Sequence, residues 1–532
     1  MAQMTQMGPG HLCHLWILFP GRGYASWVRS EVATLGLLAL AVFVGLLAGA
    51  MQSGVFRDEL YYVACANRPA WGYVDHPPLS IALLAGVRAL FGESLLAMRA
   101  PAALAAALTV FLGGLIARAM GGGRGAQVLT VVALAITPQL LAMASFFSMN
   151  ALELAIWALL ELIAVRLLLG GPPRLWLLFG LVAGLGLLNK YTTALFAGGL
   201  VVGMLCTVQR RQFLTVWPWL GGALALALFA PHLWWEHANG WPTREFMANA
   251  TARKNVRVGV LEFLGGQLTL THPLAAPLWI AGLLGLLVAP RFAVLRPLAI
   301  AYLVAFAVLV TQGGKAYYLT PIYPMLFAAG AVWLEAAAAR RAWRWPLPAA
   351  TALVLLAGLA IAPLAMPLLP PETHVGYAAA VGLGPPRLEN NRLGALPQHI
   401  ADRYGWIELV AAVERATARL TPEERARAVV FTGNYGEAGA LEVLGAGRAV
   451  PRVISGHNNY WLWGPGDLRP DDPVLVVGRR ADMLRPYFDS FEVVETSRCE
   501  WCMPYENDLP VYVARGLRGT VADLWAKAKM FI

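Results

Sequence analysis

From Val32 to Phe56 the chain carries no charged side chain. A bilayer's hydrocarbon core is crossed by about 20 helical residues, so this run is long enough to span. It also exceeds the ~7–15-residue apolar core of a cleavable signal peptide, and we read it as a retained first span. Ten further apolar segments follow, at roughly 98–118, 125–146, 150–169, 174–189, 191–208, 213–233, 272–290, 297–311, 318–338 and 346–369. Backbone polar groups in lipid find no water and must bond within their own segment, which makes each of these segments a helix. Composition fits: of 532 residues, 58% are hydrophobic and 14% charged, against roughly 25% charged in soluble domains. The expected fold class is a polytopic α-helical membrane protein with about eleven spans.

A net charge of +10 would suit a nucleic-acid binder, but the arginines stand at the ends of apolar segments. Arg22 and Arg29 precede the first span; Arg118 and Arg124 follow the second, Arg166 and Arg174 the fourth, and Arg210 and Arg211 the sixth. Arg291 and Arg296 follow the eighth, and Arg340, Arg341 and Arg344 the tenth. Every second short loop is therefore arginine-marked, as cytoplasmic loops are. This order makes residues 1–31 a cytoplasmic N-terminal segment and 32–370 the membrane domain. Residues 371–532, together with loops 52–97, 145–150, 234–271 and 312–317, fall on the opposite face. The C-terminal part reads as a small α/β domain. "ARAVVFTGNYGEAGALEVLG" and "DPVLVVGRRADMLRPYF" each run from a β-rich segment through a turn into a helical pattern, and "FEVVETSRCEWC" and "LPVYVARG" supply further strands. No internal repeat is visible, which counts against a secondary transporter built from two related halves.

The non-cytoplasmic loops hold the reactive side chains. "RDELYYVACANRPAWGYVDHPPL" places Asp58, Glu59, Tyr61 and Tyr62 in one cluster and Tyr73, Asp75 and His76 in a second. Pro77 and Pro78 stop any helix there. If the loop doubles back, the two clusters meet at the membrane surface and offer a carboxylate as base or metal ligand and a histidine able to meet an anion. In "GGKAYYLTPIYPML", Lys315 is the only cation of a short outer loop, and Tyr317 and Tyr318 follow it. An anionic ligand is a natural reason for it. Glu236, His237, Arg253 and Lys254 in the long fourth outer loop carry less weight, because a loop of that length holds some charge by chance. Glu153 and Glu161 lie inside the fourth span on one helical face, where a proton path would also be built. Cys499 and Cys502 in "CEWC" read as a structural disulfide.

Taken with "FFSMNALELAIWAL", "GGKAYYLTPIYPMLFAAGAVWLE" and "NYGEAGAL…SGHNNYWLWGP", these stretches resemble the bacterial glycosyltransferase family 39 of the GT-C superfamily, relatives of protein O-mannosyltransferases and of the lipid A aminoarabinose transferase. The resemblance implies a GT-C fold and an inverting enzyme of the inner membrane. Such an enzyme takes a hexose or pentose from a polyprenyl-phosphate carrier and gives it to a glycan, lipid or protein hydroxyl on the periplasmic face. It also implies roles. Asp58 matches the family's probable general base, and Glu59 supports the loop. Tyr62 and Tyr73 match site tyrosines, and Tyr318 matches a tyrosine of the late outer loop. Asp75 stands where relatives have a glutamate able to bind a divalent metal. His76 stands where they have a phosphate-contacting lysine, a departure that gives Lys315 more of the phosphate contact. Asn150 replaces a second acidic residue and joins the donor-binding set. A secondary transporter or lipid flippase is the alternative, with Glu161 as its test residue.

Overall fold

The structure, a computed structural model, describes residues 22–256, 258–385 and 389–532; the first 21 residues of the expected N-terminal segment lie outside the described residues. The chain runs through α1 (Arg22–Ala50), α2 (Arg57–Ala66), α3 (Leu79–Phe91), α4 (Leu95–Ala119), α5 (Arg124–Ala135), α6 (Pro138–Ala144), α7 (Met149–Leu168) and α8 (Leu175–Asn189). It continues through α9 (Thr193–Leu205), α10 (Trp217–Ala238), α11 (Pro242–Asn249), α12 (Val260–Leu270), α13 (Ala276–Val288), α14 (Arg296–Thr311), α15 (Tyr323–Arg340) and α16 (Pro346–Ala365). A single π turn (Ala250–Lys254) and a 3₁₀ segment (Ala316–Ile322) interrupt the loops before α12 and α15.

Each of the eleven apolar segments coincides with a helix, α5 and α6 forming one of them. By length and composition five helices among the described residues are able to cross a membrane, or seven if two bent pairs are each one span. The others fall short for visible reasons: α8 and α13 have only 15 and 13 residues, α7 carries Glu153, Glu161 and Arg166, and α10 carries Pro231, His232 and Glu236. The α5–α6 pair bends by 60° just before Pro138, which cannot donate to the helix ladder.

Small residues let these helices touch backbone to backbone. Where α13 crosses α15, a Cβ on Gly282 would lie 1.9 Å from the Leu326 carbonyl oxygen, and one on Gly330 would lie 1.9 Å from that of Leu278. Buried and half-buried carboxylates meet helix starts, whose first amides have no intrahelical partner. Glu161 accepts from the Met325 amide in the first turn of α15 at 3.1 Å. Glu335 likewise accepts from Gly123 at 2.6 Å and Ala126 at 3.2 Å at the start of α5. The Glu161 carboxylate thus does the work of a helix cap.

The loops sort to two ends. At one, the arginine-marked connections meet: the Gln209 amide donates to the carbonyls of Leu168 at 3.2 Å and Val294 at 3.4 Å, and Trp176 donates to Gln212 at 3.0 Å. At the other, the remaining loops meet the segment after α16. Arg403 reaches Ser145 Oγ at 2.7 Å and Ser53 Oγ at 2.9 Å, and Lys315 pairs with Glu389.

That last segment comprises α17 (Pro371–Ala380), α18 (Gln398–Ala401), α19 (Trp406–Ala418), α20 (Pro422–Arg427), β1 (Val429–Thr432), α21 (Tyr435–Leu444), β2 (Arg452–Ser455), α22 (Asn459–Trp463), β3 (Val474–Val477), α23 (Ala481–Leu484), β4 (Phe488–Ser497), β5 (Leu509–Leu517) and α24 (Val521–Ala528). The strands form one sheet in the order β2-β1-β3-β5-β4. β1 is parallel to β2 and β3, and β5 is antiparallel to β3 and β4. One face buries Val430, Leu475, Val477, Val511 and Val513 against Trp406, Leu409 and Val413 of α19. Strand β2 was not among the expected strands; its four residues, RVIS, hold two apolar side chains, against three in β1 and four in β3. Cys499 and Cys502, expected as a disulfide, are free thiols here. The Cys502 thiol donates to the Cys499 carbonyl at 3.1 Å.

Candidate active site

Helix α2 begins at the exposed end of the membrane body. Phe56, extended at φ −74° and ψ 146°, precedes it. Glu59, three residues on, reaches back to accept from the Phe56 amide at 2.8 Å, which satisfies a helix-start donor. The same carboxylate accepts from Arg99 Nε at 2.9 Å, Arg99 Nη2 at 2.7 Å and the Phe147 amide at 2.9 Å. Both side chains of this ion pair are fully buried. One residue earlier on the helix, Asp58 points elsewhere and stays partly exposed.

Asp58 accepts a hydrogen bond from the Tyr435 hydroxyl at 2.9 Å. Burial raises its pKa, and the Arg57 charge, the Tyr435 hydrogen bond and Lys254 oppose that rise. Lys254 and Lys315 lie on the π turn and at the start of the 3₁₀ segment, and converge on one carboxylate: Glu389 Oε1 is 2.6 Å from Lys315 Nζ and 3.8 Å from Lys254 Nζ. Burial works to raise the Glu389 pKa, but the two lysines overcome it and hold the group at about 2. Burial disfavours the charge on Lys315, yet Glu389 and Tyr318 keep its pKa above the usual lysine value. Lys254 is depressed by burial, with Lys315 adding to that. Two cations sharing one anion leave a positive surplus close to Asp58.

Lys190, where α8 ends, lies next to this cluster. It donates to Glu153 at 2.7 Å and to Asn150 Oδ1 at 2.8 Å, and its ammonium sits 4.4 Å from the centre of the Tyr318 ring. Thr192 donates to the other oxygen of Glu153. Asn150 and Tyr318, expected in the site, are thus brought together by a lysine that sequence reasoning passed over. A signal for it existed. An acidic residue within a span requires a partner, and Lys190 is the cation in the break between the fifth and sixth segments.

The second cluster of the first outer loop is a buried aromatic nest. His76 is fully buried, with ring centroids 4.8 Å from Tyr62 and 4.9 Å from Tyr73. Its Nδ1 lies 3.1 Å from the Pro77 carbonyl, and its Nε2 has no hydrogen-bond partner. The Tyr73 hydroxyl accepts from the Ala70 amide at 3.1 Å and lies 3.3 Å from the Arg68 carbonyl, so it fastens the loop to itself. Asp75 accepts from Tyr61 at 3.0 Å and lies 3.9 Å from His76 Nε2. Among the described residues no group of three or more His, Cys, Asp or Glu side chains is placed to hold a metal ion. Asp75, expected as a possible metal ligand, has the Tyr61 hydroxyl and the His76 ring as neighbours.

The α/β domain closes the site from the other side. Arg57 donates to the Tyr505 hydroxyl at 3.0 Å, and its guanidinium lies 4.6 Å from the centre of the Tyr435 ring. Three carboxyls surround it electrostatically. Burial raises Asp402 to about 7, Glu437 to about 7 and Glu506 to about 8, and for Glu506 the neighbouring Glu437 adds to the rise. Asn434 Nδ2 bridges the two glutamates at 2.8 and 3.0 Å. Asn459 accepts from the Val74 amide at 2.6 Å and so ties the start of α22 to the outer loop.

A helical membrane body whose carboxylate-bearing first loop is roofed by a small α/β domain is the layout of the GT-C fold, and the comparisons agree. Residues 75–235 match the family model for dolichyl-phosphate-mannose-protein mannosyltransferase. The crystal structure of ArnT from Cupriavidus metallidurans bound to undecaprenyl phosphate aligns with a TM-score of 0.56 at 17% identity, covering 92% of this chain and 98% of that one. The apo state of the same protein aligns at 0.55 with the same identity and coverage. No curated protein matches the chain in sequence. Over most of its length the chain thus has the GT-C fold seen in ArnT, and residues 75–235 are similar to the protein-mannosyltransferase family.

Proposed function

We propose that this protein is an inverting transferase that moves a hexose or pentose from a polyprenyl-phosphate carrier to a hydroxyl acceptor. It acts at the periplasmic face of a bacterial inner membrane, with the N-terminus cytoplasmic and the α/β domain of residues 371–532 outside. The arginine alternation supports the orientation. The donor class is supported by the shared fold with ArnT, a protein crystallised with undecaprenyl phosphate. The observation that carries the chemistry is Asp58, a partly exposed carboxylate within electrostatic reach of Lys254 and Lys315, which share the single charge of Glu389.

In the reaction, breaking the sugar–phosphate bond builds negative charge on the carrier phosphate. The surplus positive charge of the lysine pair, with Lys190 beneath Tyr318, stabilises that charge as it develops. Asp58 takes the proton of the acceptor hydroxyl as it attacks the opposite face of the anomeric carbon. A single displacement of this kind inverts the sugar and needs no covalent intermediate. Asn150 positions Lys190, and Glu59 holds the start of α2. Tyr62, Tyr73 and His76 shape the loop that walls the site, and Asp75 anchors Tyr61.

The test uses purified full-length protein in liposomes supplied with undecaprenyl-phosphate-linked hexoses and pentoses, with release of undecaprenyl phosphate as the readout. Asp58→Asn is expected to lower turnover by about 10²–10⁴-fold while the donor still binds. Full turnover by that variant removes the base assignment. Failure of the parent protein to turn over any donor of this class removes the donor assignment.

A further inference from the structure

We propose that the α/β domain completes the catalytic centre: Tyr435, the first residue of helix α21, holds one oxygen of the Asp58 carboxylate and so leaves the other aimed at the acceptor hydroxyl. The inference rests on reading Asp58 as the base.

The geometry is built around this contact. The Tyr435 hydroxyl donates to Asp58 Oδ1 at 2.9 Å across 377 positions of sequence. Among the described residues it is the side-chain hydrogen bond that Asp58 receives. A carboxylate has two oxygens, and engaging one fixes the plane of the other, as a third group orients the base in many catalytic arrangements.

Tyr435 is itself held on every side. Its amide donates to His457 Nδ1 at 3.2 Å. Its ring lies 4.7 Å from that of Tyr61 and 4.8 Å from that of His457, with the Arg57 guanidinium over it at 4.6 Å. The turn that delivers it is fixed by Asn434, whose side-chain oxygen accepts from the amides of Gly436 at 2.8 Å and Glu437 at 3.0 Å. Helix α21 then lies directly against α2. A Cβ on Gly439 would stand 3.0 Å from the Leu60 carbonyl carbon and the Tyr61 amide nitrogen, and one on Gly436 would stand 2.7 Å from Arg57 Cγ. A helix that merely covered the site would not need glycines along the contact. These bring the Tyr435 hydroxyl within reach of a side chain on the facing helix.

A hydrogen bond to the ionised form of a carboxylate favours that form, so loss of the hydroxyl has a signature that loss of packing lacks. The other groups facing Asp58 are Arg57 and Tyr62 on its own helix, Lys254 on the π turn, Lys315 and Tyr317 at the 3₁₀ segment, Asp75 in the loop and Asp402 after α18. All of them remain in Tyr435→Phe, which keeps the ring and its stacking.

The experiment compares full-length parent protein, Tyr435→Phe and, as a control, Tyr460→Phe, whose hydroxyl donates to Glu442. The pH dependence of kcat/KM is measured with undecaprenyl-phosphate-linked sugar. Asp58 is titrated directly by infrared spectroscopy of ¹³C-aspartate-labelled protein, with Asp58→Asn identifying the band. Tyr435→Phe is expected to move the acid limb of the profile and the Asp58 band up by about one pH unit. Turnover falls about tenfold on the acid side and recovers as pH rises, at unchanged donor KM, and Tyr460→Phe shows none of this. An unmoved limb and an unmoved band in Tyr435→Phe overturn the inference. Full transfer by Asp58→Asn instead overturns the base reading, and is told apart because the Asp58 band still shifts in Tyr435→Phe.

Discussion

Replacing Glu59 with Gln exchanges one oxygen for an amide group at nearly constant volume, so its cost isolates charge and hydrogen bonding. The carboxylate receives four donors: the amides of Phe56 and Phe147 and two nitrogens of Arg99. A glutamine has one oxygen to offer. In either orientation its NH2 faces two of those donors, one from the backbone and one from Arg99. Removing one partner of a buried ion pair costs about 3–5 kcal/mol. Arg99 also donates to the carbonyls of Ala50, Ser53 and Gly54, which softens the loss, so we expect a cost of about 3 kcal/mol, at the lower end of that range. In thermal unfolding of detergent-purified protein this appears as a fall of ~5 °C or more. The start of α2 loosens too, and Asp58 with it, so turnover drops by about tenfold as alignment is lost. The cycle with Arg99→Met is the decisive control: residues in direct contact couple by about 0.5–3 kcal/mol, so the double variant is less destabilised than the two single losses together. A Glu59→Gln melting temperature within a degree of the parent, or strict additivity in the cycle, refutes this account of the clamp.

Glu389 gives a pH prediction. Its folded pKa of about 2 lies below the ordinary 4.5, so its contribution is fully present above pH 4.5 and is lost as pH falls from there to 2, amounting to about 3 kcal/mol at neutral pH. The gap in melting temperature between the parent and Glu389→Gln is therefore expected to close across that window; a constant gap contradicts it. Gly330→Ala puts a methyl into the Leu278 carbonyl on α13. It is expected to cost about 1–3 kcal/mol, read as lower thermal stability and a lower folded yield, and an unchanged melting curve counts against the close crossing.

The helical body was legible because hydrocarbon leaves a chain little freedom: an apolar run of sufficient length must be a helix, and all eleven such runs are. The sorting of loops to two ends was legible from arginines alone. Within the candidate site, Asp58 and Lys315 stood out in the sequence as charged side chains in loops where insertion does not require them, whereas Asn150 and the role of Tyr318 came only from the family resemblance. The partners of Asp58 and Lys315 did not stand out. Glu389 and Tyr435 acquire meaning only from contacts across long separations, and nothing local marks Glu389 as the anion that two lysines share. His76 shows the opposite failure. Its match to a phosphate-contacting lysine of the family implied an anion contact, whereas the fold buries it among tyrosines, an outcome decided by how the loop turns back on itself.

The hydrogen bond from Tyr435 to Asp58 also has a place in time. Asp58 leaves the ribosome early, and at about 5–20 residues per second a further 377 residues occupy on the order of 20–75 seconds before its partner exists. Throughout that interval the first loop waits at the membrane surface with its carboxylate unclaimed, while the helices behind it insert. A chain made only as far as Asn434 therefore has every lysine of the anion cluster and the proposed base itself, yet lacks the residue that aims that base. If Asp58 is the base, as proposed, it is aimed only once the last domain has folded down onto the first loop, and the onset of transfer then reports that synthesis has passed that point.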